Sequence, residues 1–119
     1  STYLQNQYDA NYDIVVAAWI GDYLDPTTLL ALWVSDCGNN NTASSSRTFA
    51  DLLRAAEKTA DVETRMDILA EAERTIMNDT PVLPIYWYTT TYLIRPEVKN
   101  WNPLLLNNHP FKFVEINKN

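Results

Sequence analysis

Residues able to do chemistry are sparse in this sequence, and the most pointed group is Trp19-Ile20-Gly21-Asp22-Tyr23-Leu24-Asp25-Pro26. Two carboxylates follow an apolar run, three positions apart. Asp25 stands directly before a proline, the pattern of an N-cap side chain followed by proline at the first helical position. Asp22 has no such task. Two readings fit it: an ordinary surface-turn carboxylate, or a carboxylate fixed at the end of a strand for a cationic group on a ligand, where open α/β sheets place their clefts. The second group is aromatic, Tyr86-Trp87-Tyr88 with Tyr92. Strand alternation puts Tyr86 and Tyr88 on one face and Trp87 on the other, so one face can pack while the other lines a pocket.

Catalysis finds no foothold. Ser44, Ser45 and Ser46 have neither a neighbouring histidine nor a Gly-x-Ser-x-Gly elbow. The one cysteine, Cys37, sits in a polar stretch 72 positions from the one histidine, His109, so it can form no internal disulfide and reads as a loop residue. His109, beside Pro110, reads as exposed rather than as a ligand, and no His, Cys, Asp or Glu cluster has metal-ligand spacing. The pairs Glu57/Asp61 and Glu71/Glu73 read as solvated helix surface. The expectation is a protein that is not an enzyme, with no cofactor and no metal.

The elements that must position these residues follow from periodicity. Over 119 residues, 46% hydrophobic and 20% charged, there is enough apolar matter for one modest core. The net charge of −6 comes with nine scattered Lys and Arg and no basic stripe, which argues against nucleic acid as a partner. No apolar run is long enough to span a membrane and no signal-peptide pattern opens the chain. Residues 13 to 20 are continuously apolar and β-branched, which predicts an interior strand buried on both faces. Leu29, Leu30, Leu32 and Trp33 give the helix after Pro26 its apolar side, and Gly38 to Ser46 read as a long surface loop. A helix is predicted over 48–60, starting at Thr48 and Asp51, with Phe49, Leu52, Leu53, Ala56 and Ala60 on one face. Another is predicted over 62–78, capped by Asp61, with a seam of Val62, Met66, Leu69, Ala72 and Ile76. The two read as a helical hairpin packed on a sheet.

Pro81 stops the second helix, and residues 82 to 94 are dense enough in β-branched and aromatic types to predict a long strand, with Pro84 near an edge or bulge. The tail after Arg95-Pro96 carries Trp101, Pro103, Leu104, Leu105, Leu106 and a strand-like 111–116, apolar residues for which the first 95 positions offer little surface. Ser1 to Gln5 read as the end of a helix whose beginning is missing, so both ends look cut.

Taken in order, Tyr12-Asp13-Ile14, the Ala18-to-Pro26 string, Ser35-Asp36 with its Asn-rich loop, Arg65, Leu69, Ala72-Glu73 and Pro81-to-Tyr88 resemble the C-terminal region of the oligopeptide-binding proteins of ABC transporters, the peptide/nickel-type family 5 of extracellular solute-binding proteins. The resemblance covers essentially the whole chain. It implies an α/β fold: a fragment of a periplasmic-binding-protein-like lobe, with a mixed sheet, a packed helical hairpin and a C-terminal tail returning to the other lobe. Residues 1–94 would belong to the C-terminal ligand-binding lobe and 95–119 to the tail.

The same resemblance implies a ligand site. The strand bearing Trp19 would align with a bound peptide, Ala18 and Ile20 offering backbone hydrogen bonds, Asp22 pairing with the peptide α-amino group and Tyr88 reaching the ligand backbone. Some members carry an arginine for a ligand carboxylate where this sequence has Val16. Implied partners are an oligopeptide and ABC permease subunits, implied location the periplasm or the outer face of the cytoplasmic membrane, with lipid anchoring through the missing N-terminus. An isolated fragment is expected to self-associate. Relatives of this fold also bind dipeptides, sugars, haem or nickel complexes, and a helix-hairpin interaction module without a small ligand is the reading from another class. That module leaves Asp22 interchangeable, whereas the peptide reading needs its charge.

Overall fold

A computed structural model describes residues 2–102, 104 and 107–117. Its centre is the expected helical hairpin. Helix α3 (Arg47–Glu57) begins at Ser46, whose Oγ accepts from the Phe49 amide at 3.4 Å, so the cap lies two residues before the expected Thr48. Serine there satisfies one of the orphan amides of the first turn. Helix α4 (Val62–Asp79) begins as expected at Asp61, which accepts from the Thr64 amide at 2.9 Å. It ends at Thr80 in the left-handed conformation, just ahead of Pro81. Phe49, Leu53 and Ala56 of α3 interlock with Leu69, Ala72 and Ile76 of α4 to form the core, with Leu30, Trp33, Val34, Leu52, Ile68 and Met77 packed around it.

The seam of α4 departs from expectation at its start. Val62 is 73% exposed and Met66 is also exposed, because α3 ends at Glu57 in polar residues that offer them no apolar partner. Ala60 is exposed as well. Ahead of the hairpin lie α1 (Thr2–Tyr8), which realises the helix expected at the opening apart from Ser1, and α2 (Thr27–Leu30), continued by a 3-10 turn over Ala31–Trp33. Ser1 lies outside the described residues. The loop expected over 38–46 is organised by Asn40. Its amide donates to the carbonyls of Trp33, Val34 and Ser44, and its carbonyl accepts from the Thr42 amide and hydroxyl.

The sheet differs most from expectation. Among the described residues the ladder is two-stranded and antiparallel, β1 (Val98–Lys99) on β2 (Glu115–Ile116), with Val98 opposite Ile116 and Lys99 opposite Glu115. Of the strand-like 111–116, only the last two residues pair; Phe111–Phe113 form a 3-10 turn. Residues 13–20 and 82–94 carry no ladder, and Ile14, Ile20, Leu83, Trp87 and Leu93 face solvent. The interior strand expected over 13–20 is thus neither paired nor buried: a strand is completed by its neighbours' donors and acceptors, and the described residues provide no partner strand there. The tail closes on itself and on Tyr92. Trp101 stacks on His109 at 4.3 Å and 14°, Tyr92 meets both edge-on, and Asn107 donates to Thr90 Oγ1 at 3.2 Å. His109 is therefore half-buried in an aromatic cluster rather than exposed. Pro103, Leu105 and Leu106 lie outside the described residues.

The chain is spread out. Its radius of gyration is 19.1 Å over extents of 61 × 45 × 21 Å, against about 13.5 Å for a compact domain of this length.

Candidate functional site

The site is built from the loop entering α2. The helix starts one residue later than expected, at Thr27 with Pro26 in the cap position, but Asp25 still serves its first turn, its Oδ1 accepting from the Thr27 amide at 3.0 Å and the Thr27 hydroxyl at 2.7 Å. It also makes a contact that the sequence reading missed. Arg65 of α4 grips the same carboxylate with both terminal nitrogens, Nη1 to Oδ2 at 2.8 Å and Nη2 to Oδ1 at 2.9 Å. The two side chains are about a quarter exposed, at 26% and 28%. Hydrogen bonding from Arg65, then from Thr27, holds the Asp25 carboxyl well below the usual carboxylate range, and the same contact raises the Arg65 guanidinium. A signal was present: Arg65, Leu69, Ala72 and Ile76 recur at helical spacing of four, three and four, so Arg65 lies on the buried seam and its charge requires a partner.

Asp22 is the opposite case. Its amide donates to Thr28 Oγ1 at 2.7 Å, so its backbone is tied, but among the described residues its carboxylate has no hydrogen bond and no ion pair, and it is exposed. Gly21 lies against the same threonine, where a Cβ would come within 3.0 Å of the Thr28 methyl. Tyr23 Oη sits 3.2 Å from Thr27 Oγ1.

Ala18, Trp19 and Ile20 run directly into this loop. All three are exposed, and among the described residues their main-chain N–H and C=O groups make no hydrogen bond. Upstream, the Val16 carbonyl accepts from the Tyr3 hydroxyl of α1. The structure thus places four expected residues, Ala18, Trp19, Ile20 and Asp22, in one stretch as open backbone leading to an unpaired carboxylate. Tyr88 lies on the separate segment 82–94, its ring 4.9 Å from Tyr86, as expected of two residues sharing a face. The Tyr86 phenol is raised by its hydrogen-bonding interaction with Tyr88. Both rings are exposed, and no hydrogen bond or ion pair joins Tyr88 to Asp22 among the described residues.

A cavity of about 390 Å³ lies elsewhere: it is lined by Asn100, Asn102, Leu104, Pro110, Lys112, Phe113 and Glu115 and by none of the expected site residues. No group of His, Cys, Asp or Glu that could hold a metal ion occurs among the described residues, and no described helix is long and apolar enough to cross a membrane.

No protein-family model matches the chain. Individual proteins do. It is 32% identical over 97 residues to the periplasmic oligopeptide-binding protein OppA of Salmonella typhimurium, an alignment covering 82% of this chain and 18% of that protein. It is 32% identical over 100 residues to the periplasmic murein peptide-binding protein MppA of Escherichia coli, covering 84% of this chain and 19% of that protein. The solved structure of the Escherichia coli murein tripeptide-binding protein MppA superposes with a TM-score of 0.83 at 30% identity, over 99% of this chain and 23% of that one. The chain spans about a fifth of the length of the relatives it matches. Its helices and small antiparallel sheet match a fragment of that periplasmic-binding-protein fold.

Proposed function

We infer, from a chain homologous over most of its length to one segment of the peptide-binding solute-binding proteins, that the protein containing it binds extracytoplasmic oligopeptides and delivers them to an ABC importer. Residues 1–94 then form part of the C-terminal ligand-binding lobe, and 95–119 form a tail returning toward the other lobe. The location that follows is the periplasm or the outer face of the cytoplasmic membrane, the ligand is consumed by no chemistry here, and the membrane partners are the permease subunits.

Supporting this most directly is the contrast between two carboxylates three residues apart. Asp25 is saturated by Thr27 and Arg65, whereas Asp22 is tied by its backbone and unpaired at its side chain. The open main chain of 18–20 beside it offers an extended peptide the donors and acceptors that every peptide matches, which gives affinity without side-chain selectivity. One charge-assisted bond from the ligand α-ammonium to Asp22 then fixes register. Tyr88 contributes a hydroxyl toward the ligand backbone from the segment 82–94.

The test is Asp22→Asn in the intact protein, with affinities measured by calorimetry for a peptide with a free N-terminus and for its N-acetylated form. A solvent-exposed pair would contribute about 0–1 kcal/mol, whereas truncating one partner of an enclosed pair costs about 2–5 kcal/mol, roughly thirtyfold or more in affinity. The larger loss is expected, on the free-amine peptide alone. Equal losses on both peptides would remove Asp22 from the ligand site.

A further inference from the structure

The segment carrying Asp22 does not hold itself in place. Apart from the Asp25 amide donating to the Tyr23 carbonyl at 3.1 Å and the Asp25 contact with Arg65, its ties over 21–25 end on the first turn of α2: the Asp22 amide on Thr28 Oγ1, Tyr23 Oη beside Thr27 Oγ1, Gly21 against the Thr28 methyl, and the Asp25 carboxylate on Thr27. Helix α2 is four residues long, well under the length that sustains an isolated helix. It needs an outside anchor, and the bidentate contact between Asp25 and Arg65 supplies one, crossing 40 positions to the first turn of the hairpin's second helix. Arg65 itself stands one turn before the buried Leu69 on α4, its side chain about a quarter exposed.

We propose that Arg65 is a positioning residue for Asp22: by clamping Asp25 it fixes the first turn of α2, from which Thr28 holds the Asp22 backbone, and by neutralising Asp25 it leaves Asp22 as the one unpaired carboxylate of the 21–25 loop. This rests on the reading of Asp22 as the group that meets a ligand ammonium. Two carboxylates three residues apart would otherwise both attract the ammonium and blur the peptide register. The clamp needs a guanidinium, because two parallel bonds fix orientation where an ammonium makes a single point contact.

The readout is the preference of the intact protein for a free-amine peptide over its N-acetylated form, taken as a ratio of calorimetric dissociation constants, with melting temperature measured alongside. Arg65→Met is expected to lower the ratio about tenfold, the loss typical when a supporting contact behind a binding group is removed, and to do so mainly through the free-amine peptide. Arg65→Lys restores the charge without the fork and should fall between Arg65→Met and wild type. Thr28→Val deletes the Asp22 amide's acceptor while keeping the side-chain shape, and should lower the ratio with little change in melting temperature.

Asp22→Asn separates the two ideas. If it abolishes the preference while Arg65→Met and Thr28→Val leave the ratio at the wild-type value, the positioning role is refuted and the Asp22 reading stands, whatever Arg65→Met does to stability. If Asp22→Asn weakens both peptides equally, the Asp22 reading fails and the positioning role fails with it. Should Arg65→Met not fold, an unchanged ratio in Arg65→Lys and Thr28→Val is the refuting result.

Discussion

Truncating Trp87 should have opposite consequences in two settings, and the difference is measurable. In the 119-residue chain Trp87 is 83% exposed while Phe49 is fully buried at 0%. A tryptophan buries about 150–250 Å² when enclosed, so the small covered fraction here amounts to about 25–45 Å², or roughly 1 kcal/mol at about 25 cal/mol per Å². Phe49→Ala, by contrast, empties the centre of the hairpin core and should cost about 3–5 kcal/mol. In the intact protein the same Trp87 side chain is expected to be covered, and Trp87→Ala should then cost about 3–5 kcal/mol too. Urea unfolding followed by circular dichroism at the helical band reads both, since the signal is dominated by α3 and α4. The expected pattern is a small midpoint shift for Trp87→Ala and one several times larger for Phe49→Ala in the chain alone, with the two shifts converging in the intact protein. A Trp87→Ala shift as large as that of Phe49→Ala in the chain alone would refute the assignment of Trp87 to the exposed face.

Two further outcomes are expected. The Asp25 carboxyl is held below the usual range in the folded state by Arg65 and Thr27, so its stabilising effect is fully present above the unfolded value of about 3.9 and is lost as pH falls toward the folded one. The melting-temperature gap between wild type and Asp25→Asn should accordingly be constant from about pH 5 to 8 and close below about pH 4, and a gap independent of pH down to 2 would show that the amide's cost is steric. The chain on its own should self-associate and bind a free-amine peptide no better than about millimolar, whereas a monodisperse monomer in sedimentation with micromolar affinity would show that its open surfaces need no cover.

What could be read from the sequence was what the sequence decides locally. The hairpin came through because its apolar period and the Asp61 cap lie within the same few turns as the residues they bury, and all six core residues are spaced three or four positions apart within their helices, Phe49, Leu53 and Ala56 on one and Leu69, Ala72 and Ile76 on the other. The strands did not, because β propensity in 13–20 and 82–94 is a preference for a pleated, half-buried surface, and the neighbour that would complete that surface is not in these residues. The Asp22 and Asp25 division was legible as a question, since one proline assigned one carboxylate. Its answer depended on Arg65, forty positions away. Charge on an apolar seam was the available clue, and Met66, one position on and exposed, drew attention from it.

The unmatched surface bears on why the site has the form it has. The accessible area is 9663 Å², against about 6,600 Å² for a compact monomer of this mass. The excess, about 3,000 Å², is nearly four times the roughly 800 Å² that one partner contributes to a standard protein interface, and the exposed residues include Ile14, Trp19, Ile20, Leu83, Ile85, Trp87 and Leu93. Cover over such a surface would bring two things to the site at once. On the proposed role of Asp22, it would take that carboxylate and a ligand ammonium out of water, where a charge pair gains most of its strength, and it would leave any second unpaired carboxylate in the loop at a desolvation cost of several kcal/mol. A loop that offers one charge to a ligand under such a cover has reason to keep its other charge satisfied from within the chain, and the fork from Arg65 to Asp25 does that while the surface is still open.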